Sequence, residues 1–189
     1  MPIRIVHTAD NHIGMPFRQH RDEIRNRLLE ERFNALERLI ETANEHHADF
    51  FIISGDLFDS TRVKTLYIER TVSILSKFSG NSVLVLPGNH DFYAGKDTEV
   101  WKRFNKASSE YSNIELLTTT SVLSFEVGGE TIQFFPCPCP SKTGKEDAIF
   151  PFLDEFTIPI MPFPPLLVVR NSLSFVLFPN PFSVIESIY

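Results

Sequence analysis

The chain has little cysteine and no long hydrophobic run, and both absences restrict what it can be. Its 189 residues include only two cysteines, Cys137 and Cys139, which are too few for a disulfide framework. No run reaches the roughly 18 apolar residues of a membrane span, and no hydrophobic stretch of signal-peptide length follows Met1. The sequence therefore predicts a cytoplasmic protein without a membrane anchor, built around one main domain.

Positive charge is also in short supply. Eighteen lysines and arginines face 24 aspartates and glutamates, for a net charge of −6. There is thus no overall electrostatic attraction to nucleic acid or anionic lipid. This counts against a passive DNA-binding module. It counts less against an enzyme whose bound metal ions would supply positive charge at a phosphate.

Strand-like and helix-like segments alternate along the first 148 residues. Helical spacing of apolar residues predicts two long helices and a shorter one, at about 22–47, about 65–78 and around Trp101 and Phe104. Apolar or alternating runs predict the strands, at 3–6, 50–53, 83–86 and 114–117 and in a hairpin over 122–135 that turns at Gly128-Gly129. This alternation predicts an α/β layered sheet.

Composition changes abruptly near Ile149. Residues 149–189 hold four charged side chains, seven of the thirteen prolines and seven of the eighteen phenylalanines. The prolines interrupt any helical period, and the segment is too apolar for a polar disordered tail. We therefore predict a domain over 1–148 and an apolar tail over 149–189. The tail is either a native extension that packs on the domain or a partner, or a non-native sequence after a truncation or frame shift.

Three short polar segments follow predicted strands. In Asp10-Asn11-His12, alternate side chains of an extended chain would point the same way, so Asp10 and His12 could reach one ion. Taken alone, this pair would more often be a turn-capping aspartate and a solvated histidine.

In the second segment, Gly55 lets the chain turn sharply and exposes Asp56 at the carboxyl edge of the sheet. One carboxylate has two oxygens, so Asp56 could bridge two cations, and Asp59 could anchor the following loop. The alternative for Asp56 is an N-cap of the next helix.

The third segment is Gly88-Asn89-His90-Asp91. Asn89 can offer its amide oxygen to a metal, and His90 can act as proton donor or oxyanion stabiliser, with Asp91 holding its ring. The alternative is an ordinary Asn-His turn. Three such segments in one order are more specific than any single one. Oxygen and nitrogen ligands suit manganese, iron or zinc, and two ions about 3.5–4 Å apart can clamp a phosphate.

With their flanking residues, these segments resemble the calcineurin-like metallophosphoesterase superfamily and, within it, the SbcD-like DNA repair exonucleases, over roughly residues 3–140. The resemblance implies a β-sandwich flanked by helices, here incomplete at the C-terminal side, and two divalent ions, usually manganese. It implies phosphodiester hydrolysis of DNA, by exonuclease and single-strand endonuclease action.

The resemblance also assigns roles to individual residues. It implies that Asp10 and His12 bind the first ion, that Asp56 bridges, and that Asn89 binds the second ion. His90 would be the catalytic histidine. Apart from the resemblance, Asp91 and Asp59 are predicted as supporting residues, for the ring of His90 and for the loop after Asp56 respectively.

One departure from the family pattern changes the expected activity. The family has three further histidines downstream, whereas none of the six histidines here lies beyond His90. We therefore expect a weakened second metal site and impaired turnover. The segment that docks an SbcC-like ATPase partner has no visible counterpart either. The alternatives are a catalytically incomplete module that binds DNA or a partner, or a phosphoesterase acting on nucleotides or phosphoproteins.

Other polar residues carry weaker signals. Arg18, His20 and Arg21 follow the first segment and could contact a phosphate backbone, although a solvated helix entry is equally consistent. Cys137 and Cys139 are predicted to be strand-end thiols rather than metal ligands.

Overall fold

The computed structural model describes residues 3–143 in full and the backbone of three later strands. The tail predicted over 149–189 therefore lies largely outside the described residues, and its division from 1–148 stays a prediction. The helices are α1 (Asp22–Glu45), α2 (Thr65–Leu75) and α3 (Glu99–Ser108). The strands are β1 (Ile3–Thr8), β2 (Phe50–Ser54), β3 (Ser82–Leu86), β4 (Ile114–Leu116), β5 (Leu123–Val127), β6 (Glu130–Cys137), β7 (Leu166–Arg170), β8 (Phe175–Phe178) and β9 (Ile185–Ile188).

Two sheets form the centre of the fold. The five-stranded sheet has the order β4-β3-β2-β1-β9, with parallel pairing from β1 to β4 and an antiparallel β9 beside β1. The four-stranded sheet has the order β5-β6-β7-β8 and is antiparallel. In the first sheet, Thr8 pairs with Ile53 and Ser54 with Leu86. Strands β1, β2 and β3 therefore end nearly level at one edge.

Strands β2 and β3 are buried at every residue and therefore on both faces, which explains their almost entirely apolar sequences. In β2, Phe51 and Ile53 belong to the core shared with the helices. Phe50 and Ile52 belong to the core shared with the second sheet, where Phe50 packs edge-on against Phe134. Full burial of one such side chain contributes about 1.5–3 kcal/mol. The predicted α/β sandwich with flanking helices is confirmed.

Helices α1 and α2 pack against the face of the five-stranded sheet that lies opposite the second sheet. The buried residues of α1 are Phe33, Leu36, Ile40 and Ala43, which follow the predicted spacing. The helix ends two residues earlier than predicted, because His47 takes a left-handed backbone conformation with φ of 50°. No helix among the described residues is long and apolar enough to cross a membrane.

Candidate metal centre

The loops after β1 and β2 run side by side beyond the strands. The backbone N–H of His12 donates to the carbonyl of Asp56 at 2.9 Å, and that of Ile13 to the carbonyl of Leu57 at 2.9 Å. In return, the N–H of Asp59 donates to the carbonyl of Ile13 at 3.1 Å. These hydrogen bonds continue the pairing of β1 and β2 into the polar segments. They therefore fix the backbone positions from which the predicted ligand side chains extend.

Three of the predicted ligand residues have left-handed backbones. The φ angles are 54° at Asp10, 45° at His12 and 52° at Asp56. Residues other than glycine rarely adopt this backbone conformation, and each one that does lowers the stability of the fold by about 1–3 kcal/mol. Asp10 and His12 are therefore brought together by left-handed backbone conformations at both residues, and not by the extended alternation that the sequence suggests.

Asp10, His12 and Asp56 form a first group of converging ligand atoms. One ligand atom from each lies within 4.8 Å of the others, and His12 Nε2 is 3.9 Å from Asp10 Oδ1. Burial raises the pKa of Asp56 and lowers the pKa of His12, against the opposing effect of nearby Asp56. A neutral imidazole is the form that binds metals, so this donor set fits a divalent cation.

The loop after β3 packs tightly onto Asp56. A Cβ placed on Gly88 would lie 2.2 Å from Asp56 Oδ1, so only glycine fits there. The backbone N–H of His90 donates to the same Oδ1 at 2.8 Å. Asn89, which lies between them, is half-buried. The structure thus places Asn89 in the right loop, and its role as a metal ligand stays a prediction.

The ring of His90 is held by Asp59. Its Nδ1 lies 3.1 Å from the backbone carbonyl of Asp59. A carbonyl oxygen can only accept, so the proton sits on Nδ1 and the neutral ring keeps its lone pair on Nε2. The sequence suggests Asp91 for this task.

Asp91 instead ties two loops together. Its carboxylate accepts the backbone N–H of Gly88 at 2.7 Å and that of Phe58 at 3.0 Å. The carboxylate is fully buried, which raises its pKa to about 7. The indole N–H of Trp101, a core residue with 1% exposure, donates to the Asp91 carbonyl. Asp91 therefore fixes the loop after β3 against the loop after β2.

Arg32 braces the first polar segment and was missed by sequence reasoning. Its guanidinium donates from Nη1 to the carbonyl of Asn11 at 2.7 Å and from Nη2 to the sulfur of Met15 at 3.5 Å. It also lies over the Phe17 ring, 5.4 Å from the centroid. No local pattern marks it, because it is one of several arginines along α1.

The remaining predicted residues are not among the converging metal-ligand groups of the described residues. Arg18, His20 and Arg21 are exposed in the turn before α1, so their contact with nucleic acid stays a prediction. Both cysteines are buried and free. Burial raises the pKa of Cys137 to about 12 and also raises that of Cys139. Both therefore remain protonated thiols, which are poor metal ligands.

Comparisons with known proteins place the chain in a family. Residues 3–169 match the family profile described as calcineurin-like phosphoesterase. A 96-residue stretch is 34% identical to a subunit of the nuclease SbcCD of Escherichia coli (strain K12), covering 49% of this chain and 22% of that protein. The chain belongs to the calcineurin-like phosphoesterase family, and is an enzyme by lineage.

Two further relatives match a similar share of the chain. The DNA double-strand break repair protein Mre11 of Methanosarcina acetivorans is 35% identical over 91 residues, which is 47% of this chain and 14% of that protein. The uncharacterized metallophosphoesterase YhaO of Bacillus subtilis (strain 168) is 33% identical over 104 residues, which is 52% of this chain and 25% of that protein. The matches cover a quarter or less of these relatives.

Proposed function

We propose that this chain is a metal-dependent phosphodiester hydrolase that acts on DNA. The observation that carries the proposal is the convergence of Asp10, His12 and Asp56 on one point, with the loop of His90 bonded directly to Asp56. The family supports hydrolysis of a phosphoester. The preference for DNA is supported by the similarity to a subunit of the nuclease SbcCD and to the DNA double-strand break repair protein Mre11.

The residues divide into metal ligands and supporting groups. We assign Asp10 and His12 to a first divalent ion, Asp56 to a bridging position and Asn89 to a second ion, with manganese as the proposed metal. When bound, such ions withdraw charge from the phosphate and make a water molecule more acidic. The carboxylates of Asp10 and Asp56 would offset the positive charge of bound ions.

His90 is proposed as the group that moves a proton at the reacting phosphate. Its Nδ1–H is held by the Asp59 carbonyl, so Nε2 is the atom available to accept or return a proton. The hydrogen bonds from the backbone N–H groups of Gly88 and Phe58 to Asp91 keep this ring beside Asp56. Arg18, His20 and Arg21, exposed just beyond the first segment, are proposed to contact the DNA backbone.

Turnover is proposed to be impaired. The chain has no histidine after His90, so the second ion would keep only Asp56 and Asn89 as protein ligands. Fewer ligands weaken binding, and a poorly held ion lowers the rate. A cytoplasmic location remains part of the proposal. An SbcC-like ATPase partner is proposed for the full-length family only: the similarity to a subunit of the nuclease SbcCD supports it, and the docking segment has no visible counterpart in this chain.

The test is metal analysis and hydrolysis with the full chain purified in manganese. We expect bound manganese and slow cleavage of bis(p-nitrophenyl) phosphate and of linear DNA. His90→Ala should abolish cleavage and leave the bound metal in place. Absence of both metal and cleavage would show that this chain is not itself active.

The missing histidines also favour a second candidate, a catalytically incomplete module that binds DNA or a partner. It predicts DNA binding without cleavage in manganese. Cleavage that disappears in His90→Ala would rule it out. Running nucleotides and a phosphopeptide beside DNA in the same assay would detect a different phosphoester substrate.

A further inference from the structure

His12 stands between two sets of possible metal ligands. Its Nε2 faces Asp10 at 3.9 Å, and its Nδ1 faces Asp59 at 3.6 Å. The first set is the group with Asp56 described above. The second set consists of His12, Asp59 and His90, whose ligand atoms also lie within 4.8 Å of one another.

One distance within the second set matches the spacing of ligand atoms around a small ion. Zinc binds nitrogen and carboxylate oxygen at about 2.0–2.2 Å in a tetrahedral arrangement, which puts neighbouring ligand atoms roughly 3.3–3.6 Å apart. The distance from His12 Nδ1 to Asp59 Oδ1 falls at the upper end of this range. The rings of His12 and His90 meet edge to face, with centroids 4.6 Å apart.

His12 Nδ1 is also in need of a partner. It is buried, and it has no hydrogen-bond partner among the described residues. A buried nitrogen without a partner costs about 1–3 kcal/mol. A metal ion placed between it and Asp59 would remove that cost.

We propose that His12, Asp59 and His90 form an alternative site for a single zinc-like ion, distinct from the Asp10–His12–Asp56 group. Two imidazoles and one carboxylate are a donor set that zinc accepts readily, with the fourth position left to water. Manganese prefers sites richer in oxygen, and so favours the group with two carboxylates. His90 already donates Nδ1–H to a carbonyl, which is the supporting bond that orients metal-binding histidines.

The two sites exclude each other at His12. A neutral imidazole has one lone pair, so His12 can serve the Asp10 side through Nε2 or the Asp59 side through Nδ1. Occupation of the alternative site would also take the lone pair of His90. If the proposed function holds, zinc at this site would switch the enzyme off; the site itself does not depend on that function.

Cobalt(II) provides the test, because tetrahedral cobalt absorbs visible light strongly. The metal-free full chain is titrated with cobalt and the visible band is followed. Asp59→Asn and His90→Gln should each weaken cobalt binding at least about tenfold, because loss of even a supporting group at a metal site costs about 10–100-fold in affinity. Asp10→Asn is the matched control, since it makes the same change on the opposite side of His12, and it should shift the cobalt concentration that half-develops the tetrahedral band by less than about threefold.

Competition with manganese tests the exclusion. Saturating manganese should raise the cobalt concentration needed for the tetrahedral band in the wild-type chain, because both sites need His12, and raise it much less in Asp10→Asn, whose manganese site has lost a ligand. Circular dichroism of each metal-free variant checks that it is folded. The proposal is overturned if no tetrahedral cobalt band forms, if Asp10→Asn weakens the band as much as Asp59→Asn, or if bound manganese leaves the wild-type cobalt titration unchanged. Phosphodiester cleavage enters none of these measurements, so a failure of the proposed function leaves the test intact.

Discussion

At the scale of single residues, Gly88 shows how little space separates the loops around Asp56. An added methyl group would lie 2.2 Å from Asp56 Oδ1 and 2.3 Å from Asp56 N. Gly88→Ala must therefore push the carboxylate out of place. We expect the free energy of unfolding to fall by about 1–3 kcal/mol and manganese affinity to fall at least about tenfold, by urea unfolding and calorimetric titration.

Gly80→Ala is the matched control for this change. Gly80 lies just before β3, at the opposite end of the strand from the carboxyl edge of the sheet. Its added methyl group would lie 2.2 Å from the carbonyl oxygen of Ala48. It should destabilise the fold by a similar amount without altering manganese affinity. Equal manganese affinity in both variants would contradict the role given to Gly88.

Asp91 is expected to be sensitive to the loss of one acceptor oxygen. Asp91→Asn replaces one of two accepting oxygens with an N–H₂ group, which would face a backbone N–H of Gly88 or Phe58. We expect a loss of about 1–3 kcal/mol in the free energy of unfolding. Asp49→Asn is the control, because that partly buried carboxylate accepts the backbone N–H of Arg4 through a single oxygen, which asparagine can retain. Equal losses of unfolding free energy in both variants would contradict the role of Asp91 in joining the two loops.

His7 should make stability depend on pH. It is 3% exposed in β1, and burial lowers its pKa from 6.5 to about 4. Between these values the unfolded chain binds a proton that the folded chain does not. The free energy of unfolding should therefore fall as pH falls from about 6.5 to about 4, by up to about 3 kcal/mol at 1.36 kcal/mol per pKa unit.

A substitution isolates this contribution. In His7→Asn, the difference between unfolding free energies at pH 7 and pH 5 should shrink relative to wild type, because asparagine does not titrate. His20→Asn, which makes the same substitution at an exposed position, is the control. The same pH dependence in His7→Asn and wild type would refute the assignment.

At the scale of elements, α1 supports the site as well as the sheet. Arg32→Met would remove the bonds from α1 to Asn11 and Met15 while keeping a long apolar stem. We expect faster amide hydrogen exchange over residues 11–17 and a loss of about 1 kcal/mol in unfolding free energy. Arg38→Met, which removes an exposed arginine 4.0 Å from Glu31, is the control. Unchanged amide hydrogen exchange in residues 11–17 of Arg32→Met would contradict the supporting role of Arg32.

The elements themselves could be predicted from sequence, because their signals are local. The spacing from Phe33 to Ala43 defines the buried face of α1, and Gly128-Gly129 defines the hairpin turn. The tasks of Asp91 and Arg32 could not be predicted. Each depends on contacts between segments that are distant in sequence, and nothing beside Asp91 in the chain shows that its partners are backbone N–H groups.

At the scale of the whole molecule, both sheets depend on strands from the C-terminal region. β9 pairs with β1, and β7 pairs with β6. A chain cut after residue 148 would leave one edge of β1 and one edge of β6 unpaired, and exposed edges promote association. We expect a lower melting temperature and larger species in gel filtration. An unchanged melting temperature would favour the predicted division into a domain over 1–148 and a tail.

The bond between Trp101 and the Asp91 carbonyl has a practical consequence. Trp101 is the chain's single tryptophan, and its indole N–H is joined to the loop that carries Asn89 and His90. Intrinsic fluorescence excited at the indole band therefore comes from one position next to the metal centre. An ion that shifts this loop would change the emission without any dye or label, so the chain carries its own optical reporter of metal binding.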